Sequence, residues 1–337
     1  MLYREPIVGE RNEPDQIADY ATRFLTEVLG FDADRVHRRV IERLSNSLAG
    51  GDTSVSEREA ALIAAITVGE TYFLRHKCHF SWIVDRWLPD RLTNRPSDDD
   101  RPLRILCAGC ASGEEPYSVA SVLRRATSGT DIDFRITAFD VNGQFLARAR
   151  EASYRLWSLR NIDLGAHNDW LRLDGSTVRV RPPVRDDVDF VEHNLLTPMA
   201  AADIVGPFDL ILCRNVLIYF HQRAIETAYR HLTDVLADDG SLLVGPTDPG
   251  PPVDSELQES WNEDIRVFQC SAEETDPESR RSTRPPGSDR VDSSGESDAD
   301  DPSDPSQPFE QPKAPPRPPS PSPEPRRHPT SARSPGV

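Results

Sequence analysis

Apolar residues in the opening part of the chain recur with helical spacing. Ile17, Ala21, Phe24, Leu25 and Val28 stand at i, i+4, i+7, i+8 and i+11, and Val36, Val40, Ile41, Leu44 and Leu48 repeat the signal. Gly50 and Gly51 end the second of these helices, and Ser56, with Glu59 three residues on, reads as a capping box that opens a third. Beyond the stretch G-E-T-Y-F-L-R at 69–75, the residues Phe80, Ile83, Val84, Trp87 and Leu88 restore helical spacing. The pattern predicts a small all-helical domain over 1–92. The polar run T-N-R-P-S-D-D-D-R-P at 93–102 reads as a linker.

At Leu103 the pattern changes. A short apolar run at 103–107 predicts a buried strand, followed by small residues around Gly109 and Gly113 and a helix opening at Pro116, a favoured first helical position. Strand 134–139, helix 142–150, strands 188–192 and 208–213, a helix from about Gln222 to Ala237 and strands 241–245 and 265–270 continue the alternation. Such alternation implies a doubly wound, mostly parallel α/β sheet over 103–270, its last pair of strands antiparallel. A β excursion at 154–185, carrying Val178, Val180 and the Pro182-Pro183 pair, interrupts the rhythm as an inserted subdomain. Residues 271–337 hold more than half of the 30 prolines and almost no large apolar side chains, which predicts a disordered tail with polyproline character near 315–325. A tail of this kind is expected to serve a protein partner.

Charge narrows the range of partners. The formal net charge is -17 over 337 residues, which argues against a nucleic-acid ligand on electrostatic grounds. Against that background Arg35, Arg38, Arg39 and Arg43 on the second helix form a basic cluster, suited either to solvent or to an acidic partner helix. The five cysteines are scattered, so a disulfide framework is not expected, and no signal region or membrane-spanning run is read; the expectation is a cytoplasmic protein.

The edge where the first strand meets its helix is where a sheet of this type binds ligands. The spacing Gly109-x-x-x-Gly113 is neither the dinucleotide G-x-G-x-x-G nor a phosphate loop with its Lys-Ser/Thr. S-adenosylmethionine (SAM) is an alternative ligand of such sheets. It needs close backbone approach at the first turn and an acidic residue ending the second strand, the place of Asp140 in R-I-T-A-F-D. Cys107-x-x-Cys110 and His76-x-x-His79 with Cys78 have metal-like spacings but no partner cluster, so no metal is expected, and no serine or cysteine triad is present.

The motifs G-E-T-Y-F-L-R (69–75), A-G-C-A-S-G-E-E-P-Y-S (108–118), A-F-D (138–140), N-L-L (194–196) and F-D-L-I-L-C-R-N-V-L-I-Y-F (208–220) together resemble the CheR family of chemotaxis-receptor glutamate O-methyltransferases over roughly residues 14–270. The resemblance implies a class I SAM-dependent methyltransferase fold with a helical N-terminal domain and an inserted β subdomain. It implies that Thr71 and Arg75 cover the cofactor and that Gly109 lies against it. Glu115 and Asp140 would take its charged and hydroxylated parts, Asn194 and Leu195 its adenine, and Arg214 and Asn215 the neighbouring wall. Arg75 and Tyr219 would lie near the transferred methyl, and the basic cluster would dock receptors. Glu115 and Asp140 each also fit a plain helix-capping role. Gly69 stands where the family often has asparagine, and Leu74 where it usually has phenylalanine. The expected reaction gives a glutamate methyl ester and S-adenosylhomocysteine (SAH), with no general base. A cofactor- or receptor-binding module without turnover and a small-molecule methyltransferase of the same fold are the alternatives.

Overall fold

In the computed structural model the described residues are 13–32, 54–96, 99–160, 162–262 and 265–270, all within one compact unit, Met1–Thr275. The basic cluster Arg35, Arg38, Arg39 and Arg43, the second predicted helix and the tail 271–337 lie outside them.

Helix α1 (Glu13–Arg23) runs directly into a π-helical segment, Phe24–Val28. Helix α2 (Val55–Ile66) opens with a capping box at Ser54 and Glu57, two residues before the predicted one. Both pairs satisfy S-x-x-E; the earlier one wins, and the Glu59 carboxylate instead accepts from the Tyr20 hydroxyl at 2.9 Å, which joins α2 to α1. Helix α3 (Lys77–Trp82), a π-helical segment (Ile83–Trp87) and α4 (Leu88–Asn94) follow without a break.

Ten strands follow. A seven-stranded sheet has the order β6-β2-β1-β7-β8-β10-β9, built from β1 (Leu103–Ala108), β2 (Phe134–Asp140), β6 (Val188–Glu192), β7 (Phe208–Cys213), β8 (Leu236–Val244), β9 (Leu257–Asn262) and β10 (Ile265–Cys270). The first five positions pair in parallel, and β10 and β9 are antiparallel. Strand β9 escapes sequence reading because L-Q-E-S-W-N is an edge strand with little apolar content. Helices α5 (Glu114–Ala126) and α6 (Gly143–Glu151) follow β1 and β2, and α8 (Gln222–Thr233) precedes β8. The insert is a three-stranded antiparallel sheet of β3 (Ser153–Arg155), β4 (Leu171–Asp174) and β5 (Thr177–Val180), closed by the short α7 (Pro182–Arg185).

Helix α5 starts at Glu114 and not at Pro116, because Gly113 at φ +91° caps it in a left-handed conformation that a side chain would strain. That places Glu115 inside the first turn.

Phe73, Phe80, Ile83, Trp87 and Leu88 pack in the same core as Leu103, Ile105 and Leu123, so the polar stretch 93–102 separates helices from sheet in sequence and not in packing. The stretch is itself pinned at the far end of the sheet. The fully buried Asp209 carboxylate accepts from Arg91, from both Arg101 Nη atoms at 2.9 and 3.1 Å, and from the Arg104 backbone N–H at 2.7 Å. Strand β7 shifts register against β8 at that residue. A smaller core of Ala21, Phe24, Leu25, Leu29, Phe31 and Leu62 belongs to α1 and α2.

Candidate functional site

The carboxyl ends of β1, β2, β6 and β7 open onto one cleft, as the doubly wound topology requires. Its first part, about 670 Å³ counted to the open mouth, is lined by Gly109, Asp140, His193, Asn194, Leu195, Asn215 and Tyr219, with Leu29 and Phe31 reaching in from the helical segment. A second part of about 450 Å³ is lined by Glu70, Thr71, Tyr72, Arg75, Glu115 and Arg214. Val68, Gly109, Ala111 and Asn215 border both. Every cofactor residue expected from the sequence therefore lies on one continuous wall.

Each side chain is held by its neighbours. The Asp140 carboxylate accepts from the Ala111 N–H at 2.8 Å and the Asn142 N–H at 2.9 Å, which fixes it at the tip of β2. Burial raises its pKa, and those backbone donors work against the rise. Asn142, not Asp140, caps α6, accepting from the Gln144 and Phe145 N–H groups. Asp140 thereby remains a wall residue of the first part of the cleft.

In the second part, Arg214 is almost fully buried. Its Nη1 donates to Glu115 Oε2 at 2.6 Å and its Nη2 to the Arg75 carbonyl oxygen at 2.7 Å, with His76 Nδ1 at 3.1 Å. Burial raises the Glu115 pKa and Arg214 opposes that rise. Arg75 donates to the Glu70 carbonyl oxygen at 2.7 Å. Asn215 sits at φ +59°, its N–H donating to Asp248, whose carboxylate also accepts from Val216, Ile218 and Gly245. Six non-glycine residues have positive φ among the described residues, and four of them, Leu74, His76, Ala111 and Asn215, lie in the loops that build this cleft.

Two expected contacts take a different form. The Asn194 amide donates to the Val28 carbonyl oxygen at 2.8 Å and accepts from the Leu196 N–H at 3.0 Å, so much of its polar capacity joins the helical segment to the β6 loop. Tyr219 lies in the wall of the first part, its ring 6.3 Å from Phe31, and not in the second part with Arg75. The Asp32 N–H donating to the Tyr219 carbonyl oxygen holds it there.

The metal-like spacings do not form sites. Among the described residues no group of three His, Cys, Asp or Glu could hold a metal ion. His79 is buried, and Cys107 and Cys110 are thiols whose pKa burial pushes well up, which leaves them unreactive.

The family model for the CheR methyltransferase SAM binding domain matches residues 69–260. The chain belongs to the CheR methyltransferase family. It is 31% identical over 242 residues to the probable biofilm formation methyltransferase WspC of Pseudomonas aeruginosa, covering 68% of this chain and 56% of that one. It is 32% identical to chemotaxis protein methyltransferase 2 of Vibrio cholerae (56% and 65% covered) and 32% identical to the chemotaxis protein methyltransferase of Escherichia coli (55% and 62% covered). The chain thus spans between about half and two thirds of the length of these relatives. Among solved structures, the magnesium protoporphyrin IX methyltransferase of Synechocystis PCC 6803 resembles it weakly, at 14% identity and a TM-score of 0.31 over 78% of this chain and 98% of that one.

The cleft suits the family's cofactor. Gly109, at φ +68°, leaves no room for a side chain, because an added Cβ would stand 2.4 Å from Val216 Cγ2. His193 Nε2 is buried on the wall of the first part without a hydrogen-bond partner among the described residues, a polar atom that a purine edge would satisfy. Carboxylates at both ends, Asp140 and Glu115, match a diol and an ammonium. The departure from the family at Gly69 also has a local cause: the Phe145 ring fills the space, its Cζ 2.7 Å from where a Cβ would stand. His193, Leu29, Phe31 and Phe145 are among the wall residues that sequence reading missed. H-N-L after β6 carried a signal for the first of these only.

Proposed function

We propose that this CheR-family chain is a protein-glutamate O-methyltransferase acting on the cytoplasmic glutamates of chemotaxis receptors, with the methyl ester and SAH as products. The observation that carries the reading is the joining of the two parts of the cleft at Gly109, Ala111 and Asn215. One part offers a diol acceptor and an apolar slot, and the other a paired carboxylate and guanidinium.

When bound, SAM supplies an electrophilic methyl on a sulfonium. Asp140 would accept from the ribose hydroxyls, His193, Asn194 and Leu195 would meet the adenine beside Leu29, Phe31 and Phe145, and Glu115 would take the ammonium. Arg214 opposes the rise that burial imposes on the Glu115 pKa. Arg75 and Thr71 border the end where the acceptor must enter.

A glutamate side chain, with a pKa of about 4.3, is already ionised at neutral pH, so the acceptor needs no base. The protein's contribution is alignment and exclusion of water, an orientation effect of about 7 to 11 kcal/mol at most. The basic cluster Arg35, Arg38, Arg39 and Arg43, read from the sequence, would draw an acidic receptor helix. Of the described residues no helix is long and apolar enough to cross a membrane, which fits an enzyme that meets its receptor from the cytoplasmic side.

The test is incubation of the full chain with methyl-labelled SAM and receptor-bearing membranes. Label released by mild alkali as volatile methanol is expected; label that survives alkali would exclude a carboxylate ester.

A further inference from the structure

Arg160 lies between the insert strands β3 and β4 and belongs to no motif that defines the site. Its guanidinium is set in the corner of two nearly perpendicular rings, with Cζ 3.7 Å from the centre of Tyr72 and 3.6 Å from that of Trp157. Tyr72 is a wall residue of the second part of the cleft, and the Arg75 guanidinium approaches the same ring at 5.9 Å. Two cations thus converge on one tyrosine at the mouth where an acceptor enters.

The two rings hold the Arg160 guanidinium between them, and its Nη2 meets an exposed partner. Among the described residues its one carboxylate partner is Glu70, 3.3 Å from Nη2 and 63% exposed. An exposed pair of this kind contributes little to stability, so a second carboxylate can displace it at small cost. Leu156 and Trp157 beside it are about half exposed, large apolar side chains on the same rim. A planar guanidinium with an exposed partner and apolar surface beside it suits a peptide bearing a carboxylate and apolar neighbours. In a chain of net charge -17 this rim is locally cationic, which favours an anionic acceptor segment.

We propose that Arg160, oriented by Tyr72 and Trp157, receives a carboxylate of the acceptor segment of the protein substrate, and that Glu70 occupies its edge until substrate arrives. This rests on the reading that the acceptor is a protein carboxylate. Arg160 sets where the segment lies; it does not touch the transferred methyl.

The test uses the full chain, labelled SAM and membranes enriched in a methyl-accepting receptor, with initial rates of alkali-labile labelling read against receptor concentration. Arg160→Ala raises the KM for receptor by about tenfold or more, the loss of a charge-assisted hydrogen bond, while the calorimetric Kd for SAM stays unchanged. Arg160→Lys recovers only part, because an ammonium keeps the charge and loses the planar fork. Glu70→Gln moves the other way and lowers the KM, a sign that a merely structural ion pair would not give. If Arg160→Ala keeps its KM within about twofold, or loses SAM affinity in step with rate, the inference is overturned while the proposed activity stands. Should Arg160→Ala fail to fold, Glu70→Gln decides alone: an unchanged or raised KM overturns the inference. A wild-type chain that places no alkali-labile label on receptor overturns the proposed activity, and the inference with it.

Discussion

The side-chain amide of Asn194 donates to the main-chain carbonyl of Val28 at 2.8 Å, across 166 positions of sequence. This bond fastens the π-helical end of the first helix over the first part of the cleft, where Leu29 and Phe31 form a wall. The Asp32 N–H on the Tyr219 carbonyl oxygen and the His221 N–H on the Gly30 carbonyl oxygen continue the seam.

Asn194→Ala is therefore expected to loosen residues 24–31 while the sheet stays protected. The substitution removes two part-buried hydrogen bonds, to the Val28 carbonyl and from the Leu196 N–H, at about 1 to 2 kcal/mol each. Hydrogen exchange by mass spectrometry checks it: faster exchange at 24–31 and at Leu196 is expected, and unchanged protection at 24–31 would refute the fastening role.

At position 69 the expected outcome is a coupled pair. Gly69→Asn, the residue commoner in the family, brings a Cβ against Phe145 and costs about 1 to 3 kcal/mol through overpacking. Phe145→Val added to it restores most of that loss. A double-mutant cycle by urea denaturation reads the coupling, and additive losses would mean that the two positions do not share the space.

Buried Arg214 carries three contacts through two nitrogens, so its removal strands Glu115. Arg214→Ala is expected to lower stability by about 3 to 5 kcal/mol, since it leaves a carboxylate buried and unpaired. Glu115→Gln costs less, because it leaves a neutral hydrogen bond. Denaturation curves of the two variants check the order, and a milder effect for Arg214→Ala would contradict it.

Two histidines near Arg214 give a pH dependence. Burial first, then the Arg214 charge, lowers His76 to about 4 and His79 to about 3. The unfolded chain holds them at about 6.5, so it binds protons the folded chain refuses; their contribution to stability is full above about 6.5 and is lost as pH falls below that. Glu115 and Asp140, whose pKa values burial raises, oppose this trend. Comparison with His79→Leu isolates the histidine part: between about pH 7 and about pH 5 the variant should lose less stability than wild type. Parallel curves would contradict the assignment.

How much was legible follows from where each residue's partners lie. Gly109, Asp140, Arg214 and Asn215 end strands or open turns, so local pattern and topology place them together. The parallel pairing was legible from alternation, and the inserted sheet from the break in it. The Asn194 tie, the wall formed by Leu29 and Phe31, and the Phe145 ring against Gly69 depend on partners far apart in sequence. The start of α2 was ambiguous because S-x-x-E occurs twice, and only the Tyr20 contact to Glu59 separates the two. The start of α5 turned on a left-handed glycine, which outweighs the preference of Pro116 for the first turn.

Calorimetric titration of the full chain with SAM and with adenosine, against wild type, Asp140→Ala and Glu115→Gln, tests directly whether the two parts of the cleft hold one ligand. SAM is expected to bind wild type more tightly than adenosine does. Asp140→Ala should weaken both, and Glu115→Gln should weaken SAM while leaving adenosine unchanged. Failure of wild type to bind SAM, or an equal loss of adenosine binding in Glu115→Gln, would contradict a single cofactor site running from Asp140 to Glu115.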